Sequence, residues 1–231
     1  MQISKHRLDV TQIPTFIGPP IDPEIIVIHY TAGSTYTSSA RWLAEQKYLS
    51  AHLIIGRKGE IVQLVPFNAK AYHAGESLYD GRENVNMFSI GIEFANWGVL
   101  QKKGPGRFES WANSEVPLAD VSVGDDGTYW ETYQIEQIDA AIPVVKLLID
   151  AYGIQDIVGH QDVAPGRKVD PGPFFPMDRF KDLLKREAPE VNTNVQAFAE
   201  IRRICDEELE NHNCGGLIDF GSSEPSGTRN S

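Results

Sequence analysis

The residues most able to do chemistry lie close together near the end of the chain. Gly159-His-Gln-Asp-Val-Ala-Pro-Gly-Arg-Lys-Val-Asp-Pro-Gly-Pro173 holds His160, Lys168 and Asp170, set apart by Pro-Gly pairs. A helix does not run through Pro165, Pro171 and Pro173, so a rigid loop is predicted after the short run 156–159. An imidazole at one end of such a loop and a carboxylate at the other make half of a metal site. His29 is the candidate for the missing ligand, because it ends Ile25-Ile-Val-Ile-His-Tyr30, the most hydrophobic run in the sequence. Two His, one carboxylate and an open position for water is how a catalytic zinc is held. Non-haem iron uses the same donors. His52, inside an apolar run, is read as structural or as a partner to a ligand.

These side chains need a scaffold. Residues 25–30 are apolar on both faces and are predicted as a central strand. Ser38 or Ser39 can cap a helix reaching about Tyr48, followed by a hairpin of 52–56 and 61–65. Residues 66–87 read as an irregular loop. In the next strand, 88–96, Phe88, Ile90, Ile92 and Phe94 alternate with Ser89, Gly91 and Glu93. Glu93 is then a carboxylate on a face of small residues, with room for a ligand beside it. Residues 97–132 lack a sustained period and are read as a long surface insertion with a small hairpin near Asp125. A helix over 133–152 carries a stripe of Ile135, Ile138, Ile142, Val145, Leu148 and Ile149, and Pro143 is expected to kink it near Asp139. Another helix is predicted from Met177 to Glu187, before Pro189.

The domain organisation expected is an N-terminal arm (1–24), a catalytic domain (25–188) containing the insertion (97–132), and a C-terminal extension (189–231). The extension reads as an amphipathic helix over 194–210 followed by a Gly- and Ser-rich disordered tail. The 231 residues are 41% apolar and 23% charged, the balance of a soluble globular protein. A net charge of −11 argues against a nucleic-acid partner, which needs a basic face. The first residues show no signal-peptide pattern and no run has the length of a membrane span, so synthesis and retention in the cytosol are expected unless something else releases the protein. Cys205 and Cys214 are too few for a disulfide framework and are read as reduced thiols.

The chain resembles the type 2 N-acetylmuramoyl-L-alanine amidases, a family that also includes peptidoglycan recognition proteins. The resemblance rests on Val27-Ile-His-Tyr-Thr-Ala-Gly33, Ser50-Ala-His-Leu-Ile-Ile-Gly56, Gly59-Glu-Ile-Val-Gln-Leu-Val-Pro66 and Ala71-Tyr-His-Ala-Gly75. Asn86 with Phe88-Ser-Ile-Gly-Ile-Glu93, and Gly159-His160 through Asp170-Pro-Gly-Pro173, complete it in family order. It implies an α/β fold, a single mixed β-sheet flanked by α-helices with a zinc cleft at one face. It implies hydrolysis of the amide between N-acetylmuramic acid and L-Ala in peptidoglycan or a muropeptide, for cell-wall lysis or recycling. A non-catalytic peptidoglycan-binding module is the alternative, and such members typically lose a zinc ligand.

By family position His29, His160 and Asp170 are the zinc ligands, and Glu93 and Lys168 are catalytic. Ala51 stands where much of the phage branch has a tyrosine, which puts the weight on Glu93. Zinc would polarise the amide carbonyl and acidify a water, Glu93 would carry the proton to the departing nitrogen, and the Lys168 ammonium would face the oxyanion. His73 and Asn86 are candidates for contact with sugar or peptide, loop packing being the alternative. Arg167 is a candidate to pair with a stem-peptide carboxylate.

Overall fold

The structure is a computed structural model and describes residues 1–185. The helix and tail expected over 189–231, the two cysteines and the expected end of the last helix at Glu187 lie outside the described residues. In chain order, β1 (Ile3–Ser4) and β2 (Arg7–Leu8) form a short ribbon, followed by β3 (Thr11–Gln12) and β4 (Ile25–Tyr30). Then come α1 (Tyr36–Ala44), β5 (Leu53–Ile55), β6 (Ile61–Gln63) and a second ribbon of β7 (Leu78–Tyr79) and β8 (Arg82–Glu83). β9 (Ser89–Phe94) precedes five strands of the insertion: β10 (Val99–Gly104), β11 (Arg107–Glu109), β12 (Glu115–Val116), β13 (Val121–Val123) and β14 (Tyr129–Glu131). α2 (Ile135–Tyr152), β15 (Asp156–Gly159), α3 (His160–Val163) and α4 (Met177–Lys181) complete the described chain.

The central sheet has six strands in the order β15-β4-β9-β5-β6-β3. β15, β4, β9 and β5 run parallel, β6 is antiparallel to β5, and β3 is parallel to β6. This is the expected mixed sheet, and the doubly apolar run 25–30 takes a central place because a parallel strand must be covered on both faces. Ile26 and Ile28 point to one face, where they join Ile90, Ile92, Phe94 and the Ile138, Ala141, Val145 and Leu148 side of α2. Phe180 of α4 is in the same core. On the opposite face Ala40 and Leu43 of α1 pack on Ile54 and Val62, and Val163 of α3 packs with Ile25, Val27 and Val158. Phe88 joins this second face, opposite to the one its alternation implied, because it precedes the strand.

Other departures have local causes. α1 begins before the expected serines because Thr35 is its cap, with Oγ1 accepting the Ser38 amide at 3.1 Å. α2 runs unbroken through Pro143 and stops at Gly153, whose φ of +67° suits a left-handed cap. Ile135 is exposed, so the buried stripe starts at Gln137 and Ile138. In the segment read as an extended arm, Leu8 enters the main core and β3 forms the sheet edge. The insertion is itself a five-stranded antiparallel sheet, β12-β11-β10-β14-β13, with Leu100, Phe108 and Val116 as its small core. The expected hairpin is its β13–β14 turn. Among the described residues no helix is long and apolar enough to cross a membrane.

Candidate metal centre and substrate cleft

Parallel pairing of β4 with β9 sets His29 opposite Glu93, and Ile54 flanks Glu93 on the other side. Alternation along β4 turns His29 to the face opposite Ile26 and Ile28. His160 opens α3 directly after β15, the neighbour of β4. The loop that follows returns to the same place, because the Gln161 amide donates to the Asp170 carbonyl at 2.8 Å. His29 Nδ1, His160 Nδ1 and Asp170 Oδ2 converge as a result. The two imidazole nitrogens are 2.9 Å apart, and the carboxylate oxygen is 3.0 Å from His29 and 2.9 Å from His160. All three residues are buried.

The other ring nitrogens fix which of these atoms carries a lone pair. Ser89 Oγ donates to the Val85 carbonyl at 2.7 Å, so towards His73 Nε2, at 3.2 Å, it accepts. His73 Nδ1 is then unprotonated and accepts from His29 Nε2 at 3.0 Å. His160 Nε2 donates to the Ala74 carbonyl at 3.1 Å. Burial lowers the pKa of both His29 and His73 from the ordinary value, which keeps these rings neutral. His29 Nδ1 therefore faces Asp170 with a lone pair, and the His160 tautomer that keeps its proton on Nε2 does the same. Three acceptors about 3 Å apart repel one another unless a cation lies between them. The donor set suits a divalent metal of the zinc type, with an imidazole Nε2–H held by a carbonyl as metal-ligating histidines require.

Glu93 lies in the same cleft, and its Oε2 is a buried oxygen without a hydrogen-bond partner among the described residues. Burial pushes its pKa well above the carboxylate range and the Asp170 charge adds to this, while Lys168 opposes it. The cleft has a volume of about 820 Å³. It is lined by His29, Glu93, His160, Lys168 and Asp170 together with Ser38, Trp42, Trp97 and Trp111.

A family profile described as N-acetylmuramoyl-L-alanine amidase (Amidase_2) matches residues 19–173. The chain belongs to the N-acetylmuramoyl-L-alanine amidase family. The 1,6-anhydro-N-acetylmuramyl-L-alanine amidase AmpD of Escherichia coli K12 is 39% identical over 141 residues, 60% of this chain and 60% of AmpD. This chain thus spans about three fifths of that relative. The N-acetylmuramoyl-L-alanine amidase AmiD of the same strain is 36% identical over 180 residues, 74% of this chain and 56% of AmiD. A solved structure of E. coli AmiD in complex with the substrate anhydro-N-acetylmuramic acid-L-Ala-D-γ-Glu-L-Lys is similar to this chain at a TM-score of 0.55 and 33% identity. That match covers 70% of this chain and 57% of AmiD.

Within this amidase fold, His29, Glu93, His160, Lys168 and Asp170 meet in one cleft as the sequence implied, and His73 and Arg167 also line it. Asn86 does not. Its Oδ1 accepts from the His73 and Ala74 amides at 3.0 and 2.9 Å, which makes it the clamp of the 73–74 loop instead of a substrate contact. His73 sits behind His29. Arg167 Nη2 donates to the carbonyls of Ala74, at 2.6 Å, and Glu76, bracing the same loop. His52 is structural: Nδ1 accepts the Gly91 amide at 2.9 Å and Nε2 donates to the Ala69 carbonyl at 2.9 Å. Ser89, Trp42 and Trp111 were not singled out from sequence. The small-residue face of β9 was the available signal for Ser89, whereas Trp111 lies in a stretch with no period to read.

Proposed function

We propose that the chain is a zinc amidase that hydrolyses the bond between N-acetylmuramic acid and L-Ala in peptidoglycan or its fragments. The observation that carries this reading is the convergence of His29 Nδ1, His160 Nδ1 and Asp170 Oδ2 in one cleft with Glu93, whose Oε2 has no hydrogen-bond partner among the described residues. The family and the names of the relatives support it.

His29, His160 and Asp170 would hold the metal, which when bound polarises an amide carbonyl and lowers the pKa of a water towards about 7. An amide needs both, since it is a poor electrophile and neutral water a poor nucleophile. Glu93 supplies the proton traffic. Its raised pKa suits a carboxylate that first removes a proton from the water and then delivers it to the departing L-Ala nitrogen. Lys168 is near enough for its charge to act on Glu93 and His29, and its ammonium stabilises the negative oxygen that grows on the carbonyl. Among the described residues only Nη2 of Arg167 is engaged, and Nη1 and Nε would pair with a stem-peptide carboxylate.

The test is mass spectrometry of products after the zinc-loaded protein meets intact sacculi and, separately, soluble anhydro-muropeptides. Free stem peptides beginning at L-Ala support the amidase. Their release from sacculi assigns the activity to cell-wall cleavage, and release from the soluble fragments alone assigns it to turnover of fragments. Zinc bound and no release from either would overturn the reading and leave a binding module.

A further inference from the structure

We propose that Trp111 and Trp42 form a saccharide-stacking wall that seats the glycan strand on the side of the cleft away from Arg167. This inference deepens the amidase reading and rests on it for the position of the scissile amide. Trp111 is at the tip of the β11–β12 hairpin, where Ser110 and Ser114 close the turn by an amide–carbonyl bond of 2.9 Å and by the Ser114 amide on Ser110 Oγ at 3.1 Å. Its indole Nε1 donates to the Ala32 carbonyl at 2.8 Å. The polar edge is thereby satisfied inside the protein while the residue, which lines the cleft, is 66% exposed. Trp42, on α1, is 54% exposed in the same cleft. A large aromatic surface held rigid and left open to water is a surface waiting for a ligand.

The insertion is also fixed at its base, so Trp111 is held and not merely tethered. Arg57 donates to both oxygens of Glu131, at 2.9 and 2.8 Å, and to the Ser34 carbonyl at 2.7 Å. One guanidinium thus joins the end of β14 to the 31–35 loop that carries the Trp111 acceptor. Trp130 packs its ring on Gly172 beside the metal loop, where a Cβ would meet it at 2.5 Å.

The lining of the cleft divides by chain segment and by chemistry. Arg167 and Lys168 come from the metal loop with Asp170, and Arg167 is bonded to the carbonyls of Ala74 and Glu76. Trp42 and Trp111 come instead from α1 and the insertion, Trp111 is bonded to the carbonyl of Ala32, and the Thr31, Ser34 and Ser38 that line the cleft with them are uncharged. Indole faces with hydroxyls match a pyranose, which has apolar C–H faces and equatorial hydroxyls. Cations match the carboxylates of a stem peptide. The amide to be cut joins these two parts of the substrate, and His29, His160 and Asp170 line the cleft together with both sets of residues.

The probe is a stem-free glycan strand of alternating N-acetylglucosamine and N-acetylmuramic acid, titrated into the full chain by calorimetry. It contains no scissile amide, so its binding is read independently of whether the protein is an amidase. Trp111→Ala should weaken binding about tenfold, the loss of one stacked ring, and Trp111→Phe should restore most of it because the face returns without the indole N–H. Trp42→Ala should weaken binding similarly and serves alone if Trp111→Ala lowers the thermal midpoint. Wild-type protein that does not bind the strand, or folded alanine variants that bind it as wild type does, would overturn the wall. Failure to release stem peptides, with strand binding intact, would instead overturn only the amidase reading.

Discussion

Substituting Gly91 by alanine drives a methyl group into His73. An ideal Cβ on Gly91 would lie 2.4, 2.6 and 2.7 Å from three atoms of that ring, all inside the distance real Cβ atoms keep. The ring has nowhere to go. Its Nδ1 is held by His29 Nε2 at 3.0 Å, its Nε2 by Ser89 Oγ at 3.2 Å, and the residue is 5% exposed. Overpacking of this kind costs about 1–3 kcal/mol of stability. Moving His73 also releases His29 Nε2, so His29 loses the partner that sets its tautomer and ring plane. Loss of such an outer partner typically lowers metal affinity about 10–100-fold, or about 1.4–2.7 kcal/mol of binding.

Two measurements read the two effects separately. Urea unfolding in excess chelator reports the packing cost, and zinc affinity by competition with a chromophoric chelator reports the loss of orientation. Gly104→Ala is the control, because its Cβ meets nothing within 4 Å and its backbone is not left-handed. It should move neither value. Zinc affinity within twofold of wild type in folded Gly91→Ala would refute the chain from Ser89 through His73 to His29, whatever happened to stability.

Other expectations can be stated briefly. Glu93→Gln should reduce stem-peptide release about 10²–10⁴-fold while zinc affinity is retained, since the carboxylate moves protons and is not among the three converging atoms; retained activity would remove Glu93 from catalysis. His52 has its pKa lowered by burial from 6.5 to about 4, so between these values the unfolded chain binds more protons than the folded one and stability falls as pH falls. Wild type in chelator should lose up to about 3 kcal/mol from this residue between pH 6.5 and 4, and His52→Asn, which keeps an acceptor for the Gly91 amide, should flatten that limb of the unfolding curve; an unchanged slope would contradict the neutral buried ring. Arg57→Ala leaves the buried Glu131 carboxylate with the Trp97 amide but without its guanidinium, and should cost about 3 kcal/mol in urea unfolding. The same variant should weaken glycan binding, because the insertion that carries Trp111 loses its base.

What the sequence disclosed and what it withheld follow from how each feature is held together. The His29 strand was legible because a central parallel strand must be apolar on both faces, so six residues carry the whole signal. The metal loop was legible because its shape comes from Pro-Gly pairs, which act locally and need no partner to be recognised. Glu93 was legible by alternation alone, and the register that sets it opposite His29 then depends on the β4–β9 pairing. The insertion defeated the same method. Four of its five strands are only two or three residues long, too short for a period of two to declare itself, and the six-residue β10 reads Val-Leu-Gln-Lys-Lys-Gly without alternation.

The roles of His73 and Asn86 were equally closed to inspection of the sequence, for a different reason. Each acts on a neighbour across the fold. Asn86 holds the amides of residues 73 and 74, and those residues in turn hold His29 and His160. A polar residue in a motif reads the same whether it touches substrate or positions a ligand, since side-chain chemistry states which bonds can form and not which partner is near. The fold chooses the partner. Here it turns residues that looked like part of the binding surface into the support behind the candidate metal ligands, and lines the cleft with tryptophans brought in by the insertion and α1.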